Sequence, residues 1–269
     1  MDKKTLKKLQ QTELNILIDI DHFCASHGIN YSLYGGTLIG AVRHHGFVPW
    51  DDDIDIVMTR SEYTKFQDAW FENPLKGYYL ETFQYDSSTQ NTHTKIRKEG
   101  TMLLSAVEDE TVGHHGVWID IFIMDKISNE QKLRKKTIET GRKMLLMVKA
   151  NGNLPGEKFI KKMVRLVLKL IYPVKSRQAK LLSMLEILKK NELEIRDDYQ
   201  RCDMCTLEYL NIMFPQETGD EYSLLEFEKN NFQVFSNYQE ILHIMYGDYM
   251  ELPPVDEQVC KHNPSKIVL

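Results

Sequence analysis

Cysteine is scarce. Four in 269 residues exclude a small disulfide scaffold and fit a reduced compartment. Long apolar runs are missing too: no stretch of about 18 uncharged apolar residues occurs, so no membrane-spanning helix is expected. The first residues, Met1-Asp-Lys-Lys-Thr-Leu-Lys-Lys, lack the apolar run and small-residue cleavage site of a secretory leader. The expected location is the cytoplasm, with the inner membrane face as a peripheral option. There is no internal repeat and no low-complexity linker. Nothing in the composition points to disorder, and a hydrophobic fraction of 42% supports a proper core. No nucleic-acid partner is expected.

The net charge of -5 hides an asymmetry. Residues 126–190 hold eighteen Lys+Arg against four Asp+Glu, a local balance of +14, and the remainder sums to -19. Such a region either meets an anionic surface or solvates helical faces.

Periodicity predicts the elements. Leu6, Leu9, Ile16, Leu17, Ile20, Phe23 and Cys24 recur at helical spacing over 4–27, and Gly28 ends that helix. A short strand at Tyr31–Tyr34 runs through Gly35-Gly36-Thr37 into a helix from Leu38 to about His44. Residues 53–58 alternate as a strand. Thr59 and Glu62 form a capping box for a helix over roughly 60–71. Strands follow near Tyr79–Phe83, Thr94–Lys98 and Val117–Ile123. From about 130 to 200 the pattern is helical, broken at Gly152–Gly156 and Pro173, and the C-terminal stretch is mixed.

The strongest chemical signal is Trp50-Asp51-Asp52-Asp53-Ile54-Asp55. In a strand, Asp53 and Asp55 share one face. Parallel carboxylates repel unless a cation sits between them, and hard oxygen ligands suit Mg²⁺ or Mn²⁺. Asp120 is the lone charge in the apolar strand Val117-Trp-Ile-Asp-Ile-Phe-Ile, and supplies a candidate third carboxylate. The bland alternative is a solvated acidic turn or a calcium loop, but the glycine and closing glutamate of an EF-hand are absent. Upstream, strand–Gly35-Gly36-Thr37–helix offers free backbone N–H groups at a helix N-terminus, which is a phosphate seat. A phosphate seat beside a two-carboxylate metal site implies phosphoryl or nucleotidyl transfer.

The run Leu33-Tyr-Gly-Gly-Thr-Leu-Ile-Gly-Ala-Val-Arg-His-His-Gly-Phe-Val-Pro-Trp-Asp-Asp-Asp-Ile-Asp55 resembles the signature of the LicD family. That family includes bacterial phosphocholine transferases and is related to the fukutin-type ribitol-phosphate transferases. Tyr246-Gly-Asp-Tyr-Met, Pro253-Pro254 and His262 resemble its C-terminal pattern, while residues 126–200 match nothing. The resemblance implies an α+β fold: a nucleotidyltransferase-like mixed sheet flanked by helices, with a helical insertion. It divides the chain into a catalytic core at 1–125, a basic helical region at 126–200 and a C-terminal segment, 201–269, packing back on the core. It implies Mg²⁺ or Mn²⁺ on Asp53, Asp55 and Asp120, with Asp120 assisting deprotonation, and a glycine motif at Gly36 and Thr37. It also implies phosphocholine transfer from CDP-choline to a sugar of a lipid-linked teichoic acid or lipopolysaccharide precursor. Transfer of ribitol phosphate from a CDP donor, nucleotidyl transfer from a free triphosphate, and a catalytically silent nucleotide-binding module are the alternatives.

Several residues carry two readings. Arg43 stabilises phosphate charge or complements the helix dipole. Lys95 and Arg97 alternate on one strand face and hold the donor diphosphate, or else form an exposed strand face. Trp50 stacks on a ligand or wedges the turn. His114 and His115 act as acid–base groups or are incidental loop residues. Cys202, Cys205, Cys260 and His262 make a Cys₃His zinc site conceivable. Residues 157–172 separate an apolar side from a cationic side when wound at about 100° per residue, and are expected to lie on an anionic membrane surface or to pack on the core.

Overall fold

The computed structural model describes residues 1–105, 110–111, 113–151, 158–262 and 264–269, with the side chains of Lys161, Val174 and Lys175 left aside. Helix α1 (Lys3–Ser26) starts where Asp2 accepts the N–H groups of Lys4 and Thr5, both at 2.9 Å. It stops at Gly28, whose φ of 62° suits a residue without a Cβ. Next come β1 (Ser32–Leu33), α2 (Gly35–His44), β2 (Asp55–Thr59) and α3 (Arg60–Glu72). Thr59 caps α3 as the capping box predicts. Three short strands follow: β3 (Tyr78–Glu81), β4 (Thr94–Lys98) and β5 (Met102–Leu104). Strand β6 (Trp118–Ser128) is the longest at 11 residues, and is buried along most of its length.

The sheet order is β1-β2-β6-β4-β3. The β2–β6 pair is parallel, and the other neighbours are antiparallel. Three helices follow β6: α4 (Gln131–Lys149), α5 (Phe159–Ile171) and α6 (Val174–Glu194). The break at Gly152–Gly156 lies outside the described residues. Strand β7 (Tyr199–Asp203) then pairs with the far half of β6. The residue 125/126 boundary therefore falls inside β6.

Strands β8 (Tyr222–Phe227) and β9 (Asn230–Phe235) make a hairpin turned by Glu228 and Lys229, both at positive φ. After α7 (Tyr238–Tyr246), the tail returns as β10 (Lys266–Val268) on β5. The fold is α+β, a mixed sheet flanked by helices.

Two apolar clusters hold it together. The larger joins the buried stripe of α1 to the sheet, α3 and the β8–β9 hairpin. The smaller lies among α4, α6, β7 and the end of β6. Arg60, opening α3, donates to Asp125 of β6 through Nε at 2.7 Å and Nη2 at 2.8 Å, a fully buried fork that locks helix to sheet.

Candidate active site

Four strands lay charged residues in one row. Asp55 on β2 is the register partner of Asp120 on β6, Asp120 of Lys95 on β4, and Lys95 of Glu81 on β3. Cross-strand partners share a face. The row therefore reads carboxylate, carboxylate, ammonium, carboxylate. Lys95 Nζ donates to Asp120 Oδ1 at 2.7 Å, and Trp118 Nε1 donates to Oδ2 at 3.1 Å. His93 Nε2 stands 3.3 Å from Asp120 Oδ1. Neither His93 ring nitrogen makes a hydrogen bond to a described residue.

Strand β2 starts at Asp55, so Asp53 lies in the approach to the strand rather than within it. Backbone pairing nonetheless reaches Ile54, whose carbonyl accepts the Asp120 N–H at 2.9 Å. Ile54 is buried behind the acidic face, as the alternation predicts. The carboxylates of Asp51, Asp52 and Asp53 offer ligand atoms within 4.8 Å of one another, a group that includes neither Asp55 nor Asp120 of the expected set.

The glycine turn proves to be shaped by these acids. A Cβ on Gly35 would lie 2.8 Å from Asp55 Oδ2, and one on Gly36 would lie 2.5 Å from Asp51 Oδ2. The two glycines let carboxylates sit against the first turn of α2, where the helix dipole favours negative charge. Thr37 is buried, and its Oγ1 accepts the Asp55 N–H at 2.8 Å. Thr37→Val is therefore expected to cost about 1–3 kcal/mol by stranding that N–H, and to weaken binding at the acidic site as Asp55 shifts. Urea denaturation beside calorimetric titration of Mg²⁺ checks this; unchanged stability would contradict it.

Electrostatics separate the acids. Burial, and then Asp53, push Asp51 up to about 7. Burial and neighbouring carboxylates likewise raise Asp53 and, more strongly, Asp55. For Asp120, burial is outweighed by Lys95 and His93, which hold it well below the usual carboxylate range. Asp52 is different again. Its oxygens accept the N–H groups of Lys261 and His262 and contact His262 Nδ1, all at 3.2 Å. Burial raises it, but these bonds win and lower it, while His262 is raised by the same contact. Asp52 thus ties the tail to the acidic loop.

Glu13 of α1 adds a further carboxylate. It is 1% exposed and its Oε2 has no hydrogen-bond partner among the described residues. Burial, then Asp53, Asp52 and Asp51, push it well above its ordinary range. Asp51 and Asp55 have no ion-pair partner among the described residues, and Asp53 has only His262 at 3.9 Å. Several half-matched carboxylates with one buried bare oxygen fit a hard divalent cation.

The other expected residues go elsewhere. Lys95 and Arg97 are buried, not on an exposed strand face. Arg97 pairs with Glu81 and donates to Gly116 O at 3.0 Å. Both cations lie over the Trp118 ring, at 4.3 and 4.8 Å. Their charge is already matched, which argues against the diphosphate contact expected of them. Arg43 donates to the carbonyls of Tyr249 and Glu251, at 2.7 and 2.9 Å, and so anchors the C-terminal segment. His114 stacks on Tyr79 with centroids 4.7 Å apart. Trp50 is half-buried in a turn. Cys202 and Cys205 are buried and their thiols face backbone carbonyls. With Cys260 and His262 they make no cluster among the described residues, so the zinc site is not assembled.

Sequence reasoning missed Glu13, Asp51 and His93 as site residues. Glu13 had a readable signal, since it and Gln10 interrupt the buried stripe of α1. Asp51 stands two residues before Asp53, in the same alternation, but precedes the strand read over 53–58. His93 precedes β4 and nothing local marks it.

Comparisons with known proteins identify relatives of the chain. Residues 28–145 match the model of the LicD/FKTN/FKRP nucleotidyltransferase domain. The lipopolysaccharide cholinephosphotransferase LicD of Haemophilus influenzae is 32% identical, over 100% of both chains. An uncharacterized protein of Rickettsia typhi, RT0683, is 33% identical over 29% of this chain and 24% of its own. With a full-length relative at that identity, and the matched domain spanning the acidic row, the chain belongs to the LicD family.

Proposed function

We propose that this chain transfers phosphocholine from CDP-choline to a sugar hydroxyl of a cell-surface glycan precursor, of the lipopolysaccharide or teichoic acid type, in the presence of Mg²⁺ or Mn²⁺. The observation that carries the reading is Asp55 facing Asp120 across a parallel strand pair, with Asp51, Asp53 and Glu13 beside them. It occurs in a chain that aligns end to end with a cholinephosphotransferase.

Asp53, Asp55 and Asp120 would hold the cation. When bound, it supplies positive charge beside the donor diphosphate and the departing CMP. Lys95 and Trp118 fix Asp120 in place and keep it ionised. The acceptor oxygen attacks the phosphorus bearing choline, the bond to the CMP oxygen breaks, and CMP leaves with its electron pair. Asp120 was expected to take the hydroxyl proton, but both its oxygens already accept hydrogen bonds. Asp51, with no lysine bound and outside the cation set, is the better acceptor. Choline has no proton to donate and binds aromatic faces. Tyr79 and Tyr85, with Asp86 and His114, line an open hollow of about 450 Å³ and offer such faces.

The test is CMP release with Mg²⁺ and an amino-sugar acceptor, offering CDP-choline, CDP-ribitol or CTP. CDP-choline should be used at least about tenfold faster than the others, a discrimination of roughly 1.4 kcal/mol. Preference for CDP-ribitol would move the reading to ribitol phosphate. Pyrophosphate from CTP would make the chain a nucleotidyltransferase.

A further inference from the structure

Helix α5 is mounted with its apolar face outward. Phe159, Ile160, Met163, Val164, Leu170 and Ile171 are between 45% and 76% exposed. The residues turned toward the protein are Arg165, Leu168, Lys169 and Tyr172, all half-buried and spaced as one helical stripe. Arg165 Nη1 donates to Lys149 O at 2.7 Å and to Asn151 O, which staples α5 to the end of α4. An amphipathic helix packed on a core buries its apolar stripe. Here the inward stripe is mixed, two cations with Leu168 and Tyr172, and most of the apolar side faces away.

A contiguous outward patch of large apolar side chains marks an interaction surface. Its surroundings say which kind. From Lys158 to Leu185 there are eight Lys+Arg and no Asp or Glu. Lys158 just before α5, Lys162 on α5 and Lys180 on α6 are exposed. A second copy seated face to face would bring two such cationic segments together, with no acid inside either to match them. An anionic lipid surface matches both features: acyl chains take the apolar face, and headgroups take the lysines. At 13 residues, α5 is too short to cross a bilayer, and no helix among the described residues is long and apolar enough to do so.

We propose that α5 is a membrane-docking element that lays the enzyme on an anionic lipid surface, with its outward apolar face in the interface. The proposal does not depend on which head group is transferred, and binding is measured without donor or acceptor. Its failure and that of the functional reading are therefore separate results.

The full chain is sedimented with vesicles of phosphatidylcholine, with and without phosphatidylglycerol. Wild type should bind the anionic vesicles, and raised salt should release it. Ile160→Gln with Leu170→Gln, and separately Lys158→Glu with Lys162→Glu, should each weaken binding by roughly tenfold or more. Both pairs are exposed, so melting temperature should not move. Arg165 is left intact because it holds the helix in place. Wild type ignoring anionic vesicles at low salt overturns the proposal, as does binding that neither variant weakens. Light scattering supplies the remaining outcome: a dimer that the Ile160→Gln/Leu170→Gln pair splits would show that a second copy covers this face, and would also overturn it.

Discussion

Asp53→Ala and Asp55→Ala are each expected to lower the transfer rate by about a thousandfold or more, because losing the cation site costs several kcal/mol of transition-state stabilisation. A variant that keeps more than roughly a tenth of the wild-type rate would remove that carboxylate from the site. The same substitutions should not weaken the metal-free fold. Burial, then Asp53, Asp120 and Asp51, hold Asp55 well above the usual carboxylate range. A carboxyl whose folded pKa is raised binds its proton more tightly in the native state, so the fold loses stability as pH rises toward and through that pKa. Asp51, pushed up to about 7, places part of this loss near neutrality. His262, also raised, contributes with the same sign. With chelator present, the wild-type melting temperature should therefore rise between about pH 8 and about pH 6. Asp55→Asn should melt higher than wild type at the upper end of that range. Added Mg²⁺ should stabilise wild type and not the variant. A metal-free melting temperature that falls on acidification through this range would contradict the assignment.

Lys95→Met should cost about 3–5 kcal/mol of stability, since it removes the ammonium bonded to the buried Asp120 and leaves that charge only Trp118 and His93. Both side chains are nearly sealed, at 9% and 8% exposure, and their bond is 2.7 Å. The large effect should be conditional on the partner. Lys95→Met/Asp120→Asn should recover more than half of the loss, because no bare charge is left behind. Urea denaturation with chelator present measures all three proteins. A loss below about 1 kcal/mol in the single variant would mean that Asp120 is held by other contacts.

Elements with strong local signals were legible in the sequence. The stripe of α1, the Thr59–Glu62 capping box and the Asp-Ile-Asp alternation follow from side-chain spacing, and spacing is local. Register is not local. Nothing near Asp120 states that it sits opposite Asp55, or that Lys95 and Glu81 complete the row. These facts arise from a parallel pairing across some sixty residues of chain. The glycines were legible as glycines, but their partners were not. They make room for Asp51 and Asp55, and a sequence does not show what a missing Cβ would strike. Lys95 and Arg97 looked like free cations because their carboxylates lie on other strands. The amphipathic pattern of α5 was readable, yet the side that faces the protein was not, since a tertiary contact through Arg165 decides it.

One measurement bears on the central claim most directly: the phosphorus-31 spectrum and mass of the acceptor after incubation with CDP-choline and Mg²⁺. The account predicts a single new phosphodiester joining choline to the sugar, one CMP released for each, and neither product when chelator is added or when Asp55→Ala replaces wild type. An acceptor that gains CMP, or phosphocholine transfer that persists undiminished in chelator, would contradict it.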